Sequence, residues 1–206
     1  MPQIYGTCPV RVESLLLRWQ KVLAKHTARM TPYNDLPYWN GERTNVGYIA
    51  QAASELQFAV MEEYMVDRGK VKTTPGRADL WIGGPSTDEY VFEFKLYWPS
   101  IKSNAKVLAG RIKGHLSETE KQLHSSQLGR QPSKIAMVFV CPWMPKADSL
   151  RWKELLDRFL KRVTRPQDYG GEFSAAFVPP VHLHGPARVA GDQRMYPAIA
   201  VFGKMV

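Results

Sequence analysis

Apolar residues recur at helical spacing over residues 11–29. Val12, Leu15, Leu16, Trp19, Val22 and Leu23 form one stripe, and Arg11, Arg18, Lys21, Lys25 and Arg29 fall mostly on another. The stretch from Thr31 to Pro37 breaks that repeat with two prolines. A second helical pattern runs from Asn45 to Asp67, with Ile49, Ala52, Ala53, Leu56, Ala59, Val60 and Tyr64 as its buried stripe. Arg68-Gly69 supplies the glycine expected just past a helix end. The pattern then changes to strands: Lys70 to Thr74, a Pro75-Gly76 turn, Ala78 to Ile82, a Gly83-Gly84-Pro85 turn, and Tyr90 to Trp98. Residues 104–128 return to helical spacing through Leu108, Ile112, Leu116 and Leu123. Ile135 to Cys141 reads as a buried strand stopped by Pro142 and Pro145. Ser149 to Thr164 reads as a helix with Leu155, Leu156, Phe159, Leu160 and Val163 inward. Strands are expected near Phe173–Val178 and Ala198–Phe202.

Helices interleaved with strands predict an α/β fold, a central mixed sheet flanked by helices. At 206 residues the chain is expected to form a single domain, 1–206. Within it, residues 44–141 form the core, 1–43 add a helix and an aromatic loop, and 142–206 add a basic helix and the last strands. The 44% hydrophobic and 11% aromatic content argues against disorder. The strongest apolar run, Ile135 to Cys141, is too short to span a bilayer, so no membrane partner is expected. Glu13 and Arg18 interrupt the apolar stretch near the N-terminus, unlike a signal peptide. Cys8 and Cys141 are too few for a disulfide framework, which points to an intracellular, cytoplasmic protein.

Chemistry concentrates in the two middle strands. Alternation puts Glu93 and Lys95 on one face of their strand, and Phe92, Phe94 and Leu96 on the other. An acid and a base on an otherwise apolar strand are costly to bury without partners. With Asp79 on the neighbouring strand, two carboxylates and an ammonium converge. Convergent carboxylates suit a hard divalent cation such as Mg²⁺. Such a cation activates water and steadies phosphate charge, and an ammonium beside it stabilises developing negative charge.

Asp79, followed by Glu93-Phe94-Lys95, resembles the motif of the PD-(D/E)XK nuclease superfamily, which includes restriction endonucleases and Holliday-junction resolvases. The family's proline before the first acid is absent; the chain reads Gly76-Arg77-Ala78-Asp79. The resemblance covers roughly residues 44–141, and the order of segments there carries more weight than the three-residue motif. It implies a restriction-endonuclease-like core and a Mg²⁺-dependent nuclease, with Mn²⁺ as a substitute. Asp79 and Glu93 would hold the metal, and Lys95 would position the attacking water. It also implies an acid from the first core helix. Glu55, on the flank of the buried stripe, is the choice; Glu63 is the alternative, and Glu62 lies on the same flank as Glu55. The helix after the strand carries Lys121 and Gln122 as supporting polar groups.

A formal net charge of +9 favours polyanionic partners. The densest basic stripe is Arg151, Arg158, Lys161, Arg162 and Arg165, spaced to track a phosphate backbone. DNA is the expected partner, and a homodimer would bring two sites to two strands. The residues leave other classes open: an RNA nuclease, a nucleic-acid-binding protein that does not cleave, and an interaction module in which Glu93 and Lys95 are only an ion pair. His182 and His184 share one face if extended, which would suit a metal, but no third ligand lies nearby.

Overall fold

The computed structural model describes residues 3–33, 35–68, 74–84, 89–127, 131–179 and 194–206. His182, His184 and the segment from Lys70 to Thr73 lie outside them. In chain order the elements are β1 (Ile4–Gly6), α1 (Val10–Met30), α2 (Glu42–Glu55), β2 (Ala59–Arg68), β3 (Thr74–Gly83) and β4 (Glu89–Tyr97). They continue with α3 (Ala105–Ser125), β5 (Ser126–Gln127), β6 (Ser133–Val140), β7 (Met144–Pro145), α4 (Trp152–Val163), β8 (Phe173–Phe177), β9 (Arg194–Met195) and β10 (Ile199–Met205).

The fold is α/β. Among the described residues an eight-stranded sheet runs in the order β1-β8-β10-β6-β4-β3-β2-β5. β4 and β6 are parallel, joined through α3, and the other pairings are antiparallel. Helices cover both faces. On one, α1 and α2 enclose Phe92, Phe94 and Phe139, with Trp19 buried against them. The rings of Phe94 and Phe139 stack at 5.1 Å. On the other, α3 and α4 cover Val91, Ala136, Val138 and Phe202. The alternation read from β4 is realised: its aromatic positions fill the first core, and Val91 fills the second.

The helix expected from Asn45 to Asp67 is instead two elements. α2 ends at Glu55, and the chain reverses through a left-handed residue, Gln57 (φ 65°), before entering β2. The Phe58 N–H donates to the Ala53 carbonyl at 3.1 Å and the Gln57 N–H to that of Ser54 at 3.0 Å. This is the Schellman arrangement, built here without glycine. The apolar positions of α2 continue in phase into β2, so spacing alone hides the boundary. What overrides it is long-range pairing of β2 with β3 from Ala59↔Gly83 to Arg68↔Thr74. The Pro75-Gly76 turn is likewise corrected: both residues lie inside β3, opposite Asp67 and Val66. Proline is tolerated there because β3 pairs with β4 only from Leu80 onward, so that stretch has an open side.

The β2–β3 hairpin turns over midway. Val60, Leu80 and Ile82 pack into the α1–α2 core, whereas Tyr64, Val66 and Ala78 pack into the α3–α4 core. Residues four or six apart on a regular strand share a face, so β2 must cross over between Val60 and Tyr64. It does so beside Glu63, whose φ is 52°. The ladder holds Glu62↔Leu80 and Tyr64↔Ala78 on either side, and the Glu63–Asp79 rung between them is missing. Beyond that point the hairpin peels from β4 and pairs with β5 at the end of α3.

Candidate active site

The candidate site is the fork where β3 leaves β4. Its last rung is Leu80↔Phe92, and one step further along the same register Asp79 faces Glu93. Separation of the strands strips the β3-side edge of β4 of its ladder partners. Buried backbone donors must find others. Asp79 Oδ2 accepts the Phe94 N–H at 2.7 Å. The Glu42 carboxylate approaches the same edge near Leu96, whose backbone helps to favour its charged form. The Asp79 carboxylate therefore stands in for part of the missing strand, as a charge-assisted acceptor.

Glu42 is the first residue of α2 and was not anticipated from the pattern. Gly41 precedes it at φ 154°, a conformation that favours glycine. Asn45, fully buried, donates from Nδ2 to the carbonyls of Tyr38 and Gly41, both at 2.8 Å. That clasp sets the angle at which α2 starts and so aims Glu42 at β4. Burial pushes the Glu42 carboxyl above its ordinary range, and the Lys95 ammonium pulls it back. Asp79 and, more weakly, Glu118 raise it, while the Leu96 backbone lowers it. Glu42 thus lies within the field of both Asp79 and Lys95. Glu93 is 4% exposed and Lys95 half-buried on the same strand.

The other anticipated residues separate by position. Glu55 is at the opposite end of α2, about 20 Å from Glu42 at 1.5 Å per residue. It accepts from Gln51 at 3.2 Å and pairs with Arg18 of α1 at 3.6 Å, so it ties α2 to α1 and does not join the fork. Glu63 is not helical; it sits in β2 at the missing rung beside Asp79. On α3, Lys121 faces outward, whereas Gln122 is half-buried with its side-chain oxygen enclosed. Glu118, one turn before Gln122, is the α3 residue that senses Glu42.

The basic stripe lies elsewhere. α4 packs beside β8, three strands from β4. Arg151 and Arg158 both pair with Glu154, and Lys161 pairs with Asp157 at 2.9 Å. Arg162 Nη1 donates to the Ser103 carbonyl at 2.9 Å, and Arg165 precedes a short 3₁₀ turn at Pro166–Tyr169. Acids interleaved at helical spacing neutralise much of this face.

Among the described residues, no three His, Cys, Asp or Glu side chains cluster tightly enough to cage a metal ion, and no helix is long and apolar enough to cross a membrane. The donors at the fork are nonetheless hard oxygen ligands. Mg²⁺ often uses only one or two carboxylates, with waters and substrate phosphate completing its shell, so the set fits that mode of binding. No family model, curated protein or solved structure matches the chain.

Proposed function

We propose that the protein is a metal-dependent nuclease that hydrolyses phosphodiester bonds of DNA, built on a restriction-endonuclease-like core. The observation that carries this reading is the Asp79 carboxylate held on the Phe94 N–H where β3 leaves β4, opposite Glu93, with Glu42 in the field of both Asp79 and Lys95. The order α2, β2, β3, β4, α3, β6 supports it as well.

In this reading Asp79 and Glu93 hold the cation, and Glu42 takes the role of the helix acid in place of Glu55. The cation, when bound, supplies Lewis acidity and an acidified water. The chain's own groups do the rest. The Phe94 N–H fixes the Asp79 carboxylate in orientation, so little reorganisation of that group is needed on binding. Lys95, on the face shared with Glu93, orients the water or balances charge at the phosphate. Burial of Glu93 and half-burial of Lys95 keep solvent from screening those charges.

The test is cleavage of linear, circular, single-stranded and branched DNA with Mg²⁺, with Mn²⁺ and with chelator. Metal-dependent cleavage lost in Asp79→Ala and in Glu93→Ala is expected. Full activity in the double variant would move the site away from the fork. RNA in the same assay decides the substrate.

A further inference from the structure

Two arginines and one glutamate outside that constellation form a second feature at the fork. Glu63 Oε1 pairs with Arg43 Nη2 at 3.0 Å, and Glu63 Oε2 with Arg77 Nη1 at 3.3 Å. Arg43 follows Glu42 in the chain, and Arg77 precedes Asp79 by two residues on the same strand. The guanidinium groups therefore flank the fork from α2 and from β3. They are outward groups: the side chains of Arg43 and Arg77 are 87% and 61% exposed. Ion pairs this exposed contribute about 0–1 kcal/mol each. Holding a non-glycine residue at φ 52° inside a strand costs on the order of 1–3 kcal/mol. Fold stability alone does not account for this bracket. What Glu63 achieves is to hold two planar, fork-shaped donors side by side at the edge of the candidate active site, and arginine in that form matches a phosphate oxygen pair.

We infer that Arg43 and Arg77 form a backbone-phosphate subsite for DNA beside the scissile position, with Glu63 as the positioning residue that holds them until a phosphate displaces it. This rests on the nuclease reading above. Glu63 opposes phosphate by its own charge, so the bracket sets an electrostatic threshold: the arginines transfer from carboxylate to phosphate when the strand is seated. By contrast, the denser stripe on α4 is three strands from β4 and does not flank the fork.

Affinity for a short labelled duplex, measured by anisotropy from about 50 to about 200 mM KCl, tests it, once in EDTA and once in Ca²⁺. Each phosphate contact contributes about 0.9 to the slope of log affinity against log salt, so Arg43→Gln with Arg77→Gln should flatten the slope by about 1.8. Affinity near physiological salt should fall roughly 10- to 100-fold on the same account. Glu63→Gln should tighten binding, because the opposing charge is gone while both arginines remain. A purely structural ion pair would leave both slope and affinity unmoved. Unchanged slope in the double variant overturns the subsite, as does absence of wild-type binding in both EDTA and Ca²⁺. Loss of positioning alone is separated by Glu63→Gln, which keeps the arginines. Cleavage is scored separately with Mg²⁺: a flattened slope in a protein that never cleaves sustains the subsite and sinks the nuclease reading, while cleavage with an unmoved slope does the reverse.

Discussion

The two ends of α2 carry the same side chain in two different settings. Glu42, at the start, lies near Leu96 of β4 and has its carboxyl raised by burial against the pull of Lys95. Glu55, at the end, faces α1 and pairs with Arg18 at 3.6 Å, both side chains about one-third exposed. Nothing in either residue type separates them. The difference comes from what each end of the helix meets. The start meets a strand edge whose ladder has been broken, and the end meets α1, whose His26 bonds Gln51 at 2.8 Å, while Gln51 in turn bonds Glu55. On the nuclease reading proposed above, a carboxylate held near an ammonium and a second carboxylate is the one suited to chemistry, whereas one beside a single arginine fastens two helices.

The contrast breaks most sharply in turnover. Asp79→Asn, Glu93→Gln and Lys95→Ala should each lower cleavage by about 10³-fold or more, since an electrostatic or acid–base group at a reacting centre contributes about 10²–10⁴. Glu42→Gln should cost about 10²-fold, and Glu55→Gln less than about twofold. Single-turnover rates with Mg²⁺ measure all five. If Glu55→Gln proves more damaging than Glu42→Gln, the assignment of the two helix ends is reversed.

The sequence makes one side of this comparison easy to read and obscures the other. β4 was legible because its alternation is strict: aromatic residues on one face, Glu93 and Lys95 on the other. Asp79 was legible because a lone acid inside an apolar strand needs a reason. Glu42 was not, for two physical reasons. It lies before the apolar repeat that marks the helix, where Gly41 is the one local sign of a start. Its partners come from β3 and β4, more than thirty residues away, and no local spacing encodes them. The pattern favours Glu55 and hides the helix end because Gln57 performs the reversal that glycine usually marks. The α2 pattern then ran on into β2 in phase. The crossover at Glu63 and Asp79 is also invisible locally, since β2 and β3 exchange cores only through their pairing.

Asn45 offers the next largest effect, because it holds the first end of the helix in place. Asn45→Ala removes two side-chain hydrogen bonds and leaves the Tyr38 carbonyl without that donor in a fully buried site. A loss of about 1–3 kcal/mol is expected, read as a lower urea midpoint at constant slope. Turnover should fall with it even where the protein stays folded, since Glu42 is no longer aimed. A variant destabilised to this extent but fully active would show that the clasp serves the fold alone.

Stability against pH separates the two glutamates without any substrate. The Glu42 carboxyl is raised on folding, so its protonated form is favoured in the folded state. Its favourable contribution is then present below the unfolded value and is lost as pH rises through the folded one. In EDTA, Glu42→Gln should therefore raise Tm at neutral pH, and the gain should vanish in acid below the ordinary carboxylate range. A neutral-pH Tm equal to or below that of the wild type would remove the desolvation argument. A variant both more stable and less active is the pattern expected where a site keeps strained charge for function.

The smallest effect belongs to the other end. Arg18 and Glu55 are each about one-third exposed, and an ion pair of that kind contributes about 0–1 kcal/mol. Glu55→Gln keeps the side-chain oxygen that accepts from Gln51, so only the charge is lost. A double-mutant cycle with Arg18→Gln should give a coupling of a few tenths of a kcal/mol, reduced further by added salt. The salt dependence carries the argument, because it probes what surrounds the pair. A coupling that is large and unmoved by salt would mean that Glu55 lies in a low-dielectric setting like that of Glu42. The two ends of α2 would then differ in their partners and not in their exposure to water.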